Sequence, residues 1–351
     1  MSPDLAELTI AAASRELAAR RLSAVELVEE TLAVVDRDNE RLNAYLHVDR
    51  KGALAAARRA DAALDDGSAG PLAGIPICVK DVIDVAGMPT TAASSGWSSL
   101  PTADASAVAR LREAGAVVVG KGNTNEFAFG IDGRNPHRGD CRNPRDPTRI
   151  SGGSSSGPAC ATGAGLALGG LGTDTSGSLR VPASLCGLVG VRPTHGLVPT
   201  DGVVPLAWSY DTVGPLARTV ADATLLLEAI ADLAVAPAGD AGSDLPPDLR
   251  GRTIGLLTQF VEAGCDPEIA AATRAAATLM ESLGAEVRPI GLPRLEHIDA
   301  IHFVIQFAEA AAVHRQWIDG QRPHYEPAVL ERLEAGAALS ATDYLDAPAG
   351  T

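Results

Sequence analysis

Apolar residues from Leu5 to Ala19 recur at helical spacing and predict a first helix. Ser23 and Glu26 form an S-x-x-E capping box that opens a second helix over Ala24 to Arg37, because each side chain can satisfy a backbone N–H the other leaves orphaned. A third helix is predicted over Lys51 to Leu64, ended by a loop of Asp65, Asp66, Gly67, Gly70 and Pro71. The period then changes. Gly74-Ile-Pro-Ile-Cys-Val-Lys80 has the short β-branched pattern of a strand with Lys80 at its end. Asp104 is expected to cap a helix running to Ala114, and Ala116-Val-Val-Val119 to form a buried strand. Thr219 to Leu233 reads as a helix, and Thr253 to Leu257, Pro267 to Leu283 and Ala285 to Ile290 as strand, helix and strand. Ala236 to Pro247, rich in Ala, Gly, Asp and Pro, is expected as a surface loop between them. This alternation predicts an α/β layered sheet.

One stretch departs from the alternation. From Ile150 to Gly202 the chain is dense in Gly and Ser, yet apolar runs at Leu166 to Leu171 and Leu185 to Val191 interrupt it. Linkers lack such core-forming runs, so the glycines here serve close backbone approach or positive φ, and the chemistry is expected in this stretch.

Composition narrows the function. With 46% hydrophobic residues among 351, the chain can build a sizeable core. A formal charge of -15 repels a phosphate backbone, and 3% aromatics leave little for base stacking, so direct nucleic-acid binding is not expected. The N-terminus carries acidic residues where a secretory leader needs positive charge, and no uninterrupted apolar segment is long enough for a membrane span; a cytoplasmic protein is expected. The five cysteines are scattered without a C-x-x-C pair, and free buried thiols are the expectation. Neither a metal nor another cofactor is implied: His195 lies near the glycine-serine stretch, but the other histidines are widely separated.

Two segments expose hydroxyls on bare backbone: Ser151-Gly-Gly-Ser-Ser-Ser-Gly157 and Gly172-Thr-Asp-Thr-Ser-Gly-Ser178. Small neighbours let a carbonyl reach a serine oxygen, and successive N–H groups in a turn can converge on an oxyanion. Pro158 suits the first turn of a helix, which places Ser154 to Gly157 at its N-terminus. Gly153-Ser-Ser-Ser-Gly157 also fits the G-x-S-x-G nucleophile elbow with Ser155 central, but the proline-broken Arg142 to Arg149 cannot supply the strand that elbow requires. A phosphate loop needs a lysine after the glycines, and none follows.

Gly152-Gly-Ser-Ser-Ser-Gly157, Gly172-Thr-Asp-Thr-Ser-Gly-Ser-Leu-Arg180, Pro182-Ala and Cys186-Gly together resemble the amidase signature family. The likeness extends to Gly74-Ile-Pro-Ile-Cys-Val-Lys-Asp81, Gly120-Lys-Gly-Asn-Thr-Asn-Glu126, Gly190-Val-Arg-Pro-Thr-His-Gly196 and Asp211-Thr-Val-Gly-Pro-Leu216, nearly the whole chain. It implies a central twisted mixed β-sheet flanked by α-helices, with residues 1–70 as a helical region packing on a core over 71–351. It also implies an amide hydrolase: Ser178 is the nucleophile, Ser154 a bridging serine entered through a cis peptide, and Lys80 the base. Backbone N–H groups of Thr175, Ser176, Gly177 and Ser178 form the oxyanion hole, and Asp174 and Arg180 brace the loop.

These roles have a physical logic. A serine hydroxyl is a poor nucleophile until a base takes its proton, and the leaving amine must receive one. Lys80 must be neutral to accept it, so burial has to lower its pKa from about 10.4. The adjacent Asp81 would oppose this, unless strand alternation turns it to the opposite face. Asn123, Thr124, Asn125 and Glu126 are expected either to shape the pocket or to cap a short helix.

The resemblance departs in two places. Ser176 stands where the family commonly has glycine. Similar proteins also continue beyond the point where this chain stops, so part of the sheet and of the substrate pocket is expected to be missing. The resemblance implies hydrolysis of a small-molecule amide and does not by itself separate a free-standing enzyme from one that works within an amidotransferase. Its alternatives are the catalytic subunit of a tRNA-dependent glutamine amidotransferase and an inactive remnant. A second copy in a homodimer or amidotransferase partner subunits are the associations it allows.

Overall fold

A computed structural model describes residues 5–231, 248–262 and 264–349. Helix α1 (Ile10–Ala18) is capped by the Thr9 hydroxyl, and α2 (Ala24–Leu42) by the Ser23–Glu26 box, present in both directions. The second helix continues past Arg37 because its polar residues 36–41 stay on the outer side while Leu42 returns to the core. Strand β1 (Tyr45–Val48), not marked by the sequence pattern, precedes α3 (Arg50–Asp66).

Then come β2 (Pro76–Lys80), α4 (Ser106–Glu113), β3 (Val117–Gly122), α5 (Ser156–Gly163), β4 (Gly169–Asp174), α6 (Arg180–Cys186), β5 (Val189–Gly190), β6 (Thr212–Ala217) and α7 (Val220–Ile230). The strands form one mixed sheet in the order β1-β3-β2-β4-β6-β5. Strands β3, β2 and β4 run parallel, and β1, β6 and β5 are antiparallel to their neighbours. Parallel neighbours need a crossover, and α4 carries the chain from β2 to β3. Helices flank the sheet, and α1 and α2 contribute Ile10, Leu17, Leu27 and Val28 to the same core as Ile77, Val79 and Val117.

Two local expectations are corrected. Asp104 does not cap α4: Ala105 holds that place, while the Asp104 carboxylate accepts from the Ala86 N–H and Arg112. The strand expected to end at Val119 extends through Gly120, Lys121 and Gly122. Strand β4 begins only at Gly169 and contains three glycines, a composition that ordinarily weakens a strand. Close approach explains it: a Cβ on Gly172 would lie 2.5 Å from Ser155 Oγ.

The described residues divide into two compact units. One holds the six-stranded sheet and residues 304–344; the other is built from residues between 248 and 303 with 345–349. In the second, β7 (Thr253–Leu257) and β8 (Glu286–Ile290) pair in parallel, joined through α8 (Thr258–Glu262) and α9 (Pro267–Ser282), which is the expected strand, helix and strand. Beyond lie α10 (Ile298–His314), α11 (Ile318–Gln321), α12 (Pro327–Ala337) and α13 (Ala341–Ala349). The loop expected over Ala236–Pro247 lies outside the described residues. No helix among those described is long and apolar enough to cross a membrane.

Candidate active site

Strand β2 ends at Lys80, whose side chain is completely buried. Its ammonium nitrogen donates to Ser154 Oγ at 2.7 Å and to Thr173 Oγ1 at 2.7 Å. Burial pushes the Lys80 pKa down to about 7, against the pull of the Asp174 and Asp211 carboxylates. Asp81 takes no part in this. Its carboxylate accepts from the N–H groups of Thr91 and Ala93 and lies 3.1 Å from Lys121 Nζ, on the other face as alternation requires.

Ser154 precedes α5, whose N-cap is Ser155, and is joined to Gly153 by a cis peptide bond. The two glycine-serine segments meet at the Ser155 N–H, which donates to the Ser178 carbonyl at 3.2 Å, and at the Ser155 hydroxyl, which donates to the Thr173 carbonyl at 3.1 Å. Ser178 is 4% exposed, and its hydroxyl makes no hydrogen bond to another described residue. Apo sites commonly hold such contacts loosely until substrate arrives.

Asp174 ties together the turn from β4 to α6. Its carboxylate accepts from the Gly177 N–H at 2.8 Å, the Leu179 N–H at 3.1 Å, Arg180 at 3.0 and 3.1 Å, and Arg192 at 3.1 Å. Burial alone would raise this carboxyl, but Arg180, the Leu179 N–H and Arg192 outweigh it and hold the pKa below the usual carboxylate range. The Gly177 N–H, expected to face an oxyanion, is therefore committed to Asp174 in this structure. Gly177 has φ +132°, which a side chain would resist, whereas Ser176 is not among the positive-φ residues, so serine there carries no left-handed strain.

Three partners were not singled out from the sequence, although each lies inside a segment that carries the resemblance. Thr173 is the second hydroxyl on Lys80. Asp211 accepts from Thr175 Oγ1 at 2.6 Å and from the N–H groups of Leu206 and Ala207, and burial raises its pKa. Arg192 donates to the Tyr210 carbonyl and to the Asp174 carbonyl and carboxylate. Only folding shows that these side chains converge on one turn.

Other candidates are placed elsewhere. Asn123 donates to the carbonyls of Asn43 and Gly139, and Asn125 to Asp132 and the Arg134 carbonyl; Asn125 stands at the N-cap of the short 3-10 helix Glu126–Ala128, but its side chain makes no capping bond there and knits loops instead. The Glu126 carboxylate accepts the Glu326 N–H. His195 is exposed against the Trp208 carbonyl, and no group of three metal-ligating side chains exists among the described residues. The cysteines are free, and all but Cys265 are buried.

Comparison with known proteins gives the family and the fold. The chain is 43% identical over 320 residues to a protein of Roseiflexus castenholzii named as a glutamyl-tRNA(Gln) amidotransferase subunit, covering 89% of this chain and 65% of that one. It spans about 65% of the length of the curated relatives it matches first. A crystal structure of an amidase superposes with TM-score 0.87 at 37% identity, covering 97% of this chain and 76% of that one. The native peptide amidase of Stenotrophomonas maltophilia gives TM-score 0.83 at 32% identity, covering 98% and 78%. The amidase family model matches residues 26–343, and the chain belongs to the amidase family.

Proposed function

We propose that this chain hydrolyses a carboxylic amide through a Ser178 acyl-enzyme, with Ser154 and Lys80 as the proton relay. The observation that carries the reading is Lys80: a fully buried amine, bonded at 2.7 Å to Ser154 and held near pKa 7, is poised to exchange a proton at neutral pH. Ser178 Oγ attacks the amide carbon while its proton passes to Ser154 and the Ser154 proton to Lys80. The carbonyl oxygen gains negative charge beside the turn from Thr175 to Ser178. Thr175, Ser176 and Ser178 supply the N–H groups, and Gly177 shapes the turn through Asp174. The carbon–nitrogen bond then breaks as Ser154 protonates the leaving nitrogen and recovers a proton from Lys80. Water cleaves the resulting ester by the same relay, so amide and water become acid and amine or ammonia.

Asp174 and Arg180 act as braces in this reading, since their bidentate pair holds the turn on which Ser178 stands. The free buried thiols support a cytoplasmic placement. A second reading is favoured by the Roseiflexus relative's name: the chain acts as the catalytic component of an amidotransferase, releasing ammonia from glutamine for a partner protein. Glutaminase activity that appears only with such partners separates the two.

Intact-mass measurement after exposure to a fluorophosphonate tests the common chemistry. A single adduct on the folded wild-type chain, lost in Ser178→Ala and strongly slowed in Lys80→Ala, is expected. A folded wild-type chain that takes no adduct would mean that the machinery does not work in this chain, as in an inactive remnant.

A further inference from the structure

Helix α10 brings a polar side chain to the turn beside the nucleophile. Gln306 is 6% exposed, and its Nε2 donates to Ser176 Oγ at 3.1 Å. Ser176 lies two residues before Ser178, in the turn whose Thr175, Ser176 and Ser178 N–H groups are proposed to face the oxyanion. One turn further along α10, the Glu309 carboxylate accepts from the Ser209 N–H at 2.9 Å and from the Tyr344 hydroxyl at 2.7 Å. Ser209 belongs to the loop whose Leu206 and Ala207 N–H groups hold Asp211, and Asp211 in turn accepts from Thr175. The turn is thus held at two successive residues, Thr175 from Asp211 and Ser176 from Gln306. Both holds lead back to α10.

We propose that Gln306 is a positioning residue for amide hydrolysis, acting through Ser176 to hold the oxyanion turn in its working shape; this rests on the amidase reading above. The residue type suits the task. A glycine at position 176 would offer no side chain to grip, whereas the serine hydroxyl accepts the carboxamide N–H and couples the turn to a helix. A carboxamide is neutral and presents a donor towards a region where negative charge develops. A carboxylate of the same shape could still accept from the Ser176 hydroxyl, preserving the tether. It would, however, place like charge beside the oxyanion, where the surroundings screen little. Tethering and electrostatics can therefore be separated at one position.

The test uses the full chain and the limiting rate and half-saturating concentration of fluorophosphonate labelling at Ser178, with thermal unfolding confirming that each variant is folded. Gln306→Ala should lower the limiting rate about tenfold, the effect of losing one hydrogen bond, and Ser176→Ala at least as much, with the half-saturating concentration unchanged. The double variant should be no slower than Ser176→Ala alone, because that variant has already lost the contact with Gln306. Gln306→Glu should be slower than Gln306→Ala. Independent, multiplying effects in the double variant, wild-type rates in Gln306→Glu, or a change confined to the half-saturating concentration would each overturn the assignment while leaving the amidase reading intact. Ser176 is exposed, so Ser176→Ala carries the test if Gln306→Ala does not fold, and wild-type labelling in it overturns the assignment. A folded wild-type chain that takes no adduct overturns this assignment together with the reading it rests on.

Discussion

Two lysines stand on neighbouring parallel strands, both completely buried, and the protein treats them in opposite ways. Lys121 on β3 lies in register with Val79 on β2, and Lys80 is the next residue along. Alternation sends the two side chains to opposite faces of the sheet. On one face Lys121 meets the Asp81 carboxylate at 3.1 Å, with the Thr90 hydroxyl and Pro89 carbonyl completing its shell. On the other, Lys80 meets two hydroxyls, and the nearest carboxylates act on it only through space. Burial lowers the pKa of both. What differs is the partner: a carboxylate in contact favours the charged amine and makes a structural ion pair, whereas hydroxyls let the amine lose its proton and serve as a base. Burial alone does not make a catalytic lysine.

The comparison breaks most sharply under substitution. Lys80→Met should lower the fluorophosphonate labelling rate by roughly 10³-fold or more while leaving the folded state at least as stable at pH 7, since it removes a costly buried amine with no ion-pair partner. Lys121→Met should do the reverse. It leaves Asp81 buried without its cation and should cost about 3–5 kcal/mol of stability, read from denaturant midpoints, with the surviving folded fraction still labelled. A Lys121→Met protein that is stable but unlabelled would erase the distinction.

Proton titration sharpens it. With Lys80 held near pKa 7, the labelling rate should rise about tenfold per pH unit below 7 and level off above it. Stability carries the same signature. The folded pKa is depressed below the unfolded value of about 10.4, so between these values the unfolded chain holds a proton that the folded chain has lost. The contribution is therefore present above the unfolded pKa and is lost as pH falls towards 7. Wild type should gain stability relative to Lys80→Met between pH 7 and pH 10, and equal slopes for the two proteins would contradict a depressed Lys80.

The smallest effect should come from Thr173→Val, which keeps the shape and removes one of the two hydroxyls on Lys80. A loss of about tenfold in labelling rate is expected, with the pH midpoint still set mainly by burial. A loss as large as that of Lys80→Met would mean that Thr173 belongs to the relay itself.

Much of this was legible in the linear chain, and the exceptions share a cause. The capping box at Ser23 and Glu26, the strand ending in Lys80 and the βαβ unit from Thr253 to Ile290 declare themselves by local pattern, because capping and periodicity need only near neighbours in sequence. Strand β4 did not, because its glycines answer to close neighbours, Pro158 at Gly170 and Ser155 at Gly172, rather than to strand propensity. The N–H of Gly177 was expected to face substrate and instead faces Asp174, a choice set by Arg180 and Arg192 gathering on the same carboxylate.

Residue type and order by themselves determined the α/β class, the family resemblance and the identity of Lys80, Ser154 and Ser178 as candidates, since each depends on short motifs read along one strand, turn or helix start. Only the tertiary structure decided which carboxylate each buried lysine meets, that Thr173 and Asp211 join the site, and that Gln306 reaches Ser176 across 130 residues of chain. Those are distances between elements, set by how helices and strands pack, and local propensity carries no record of them.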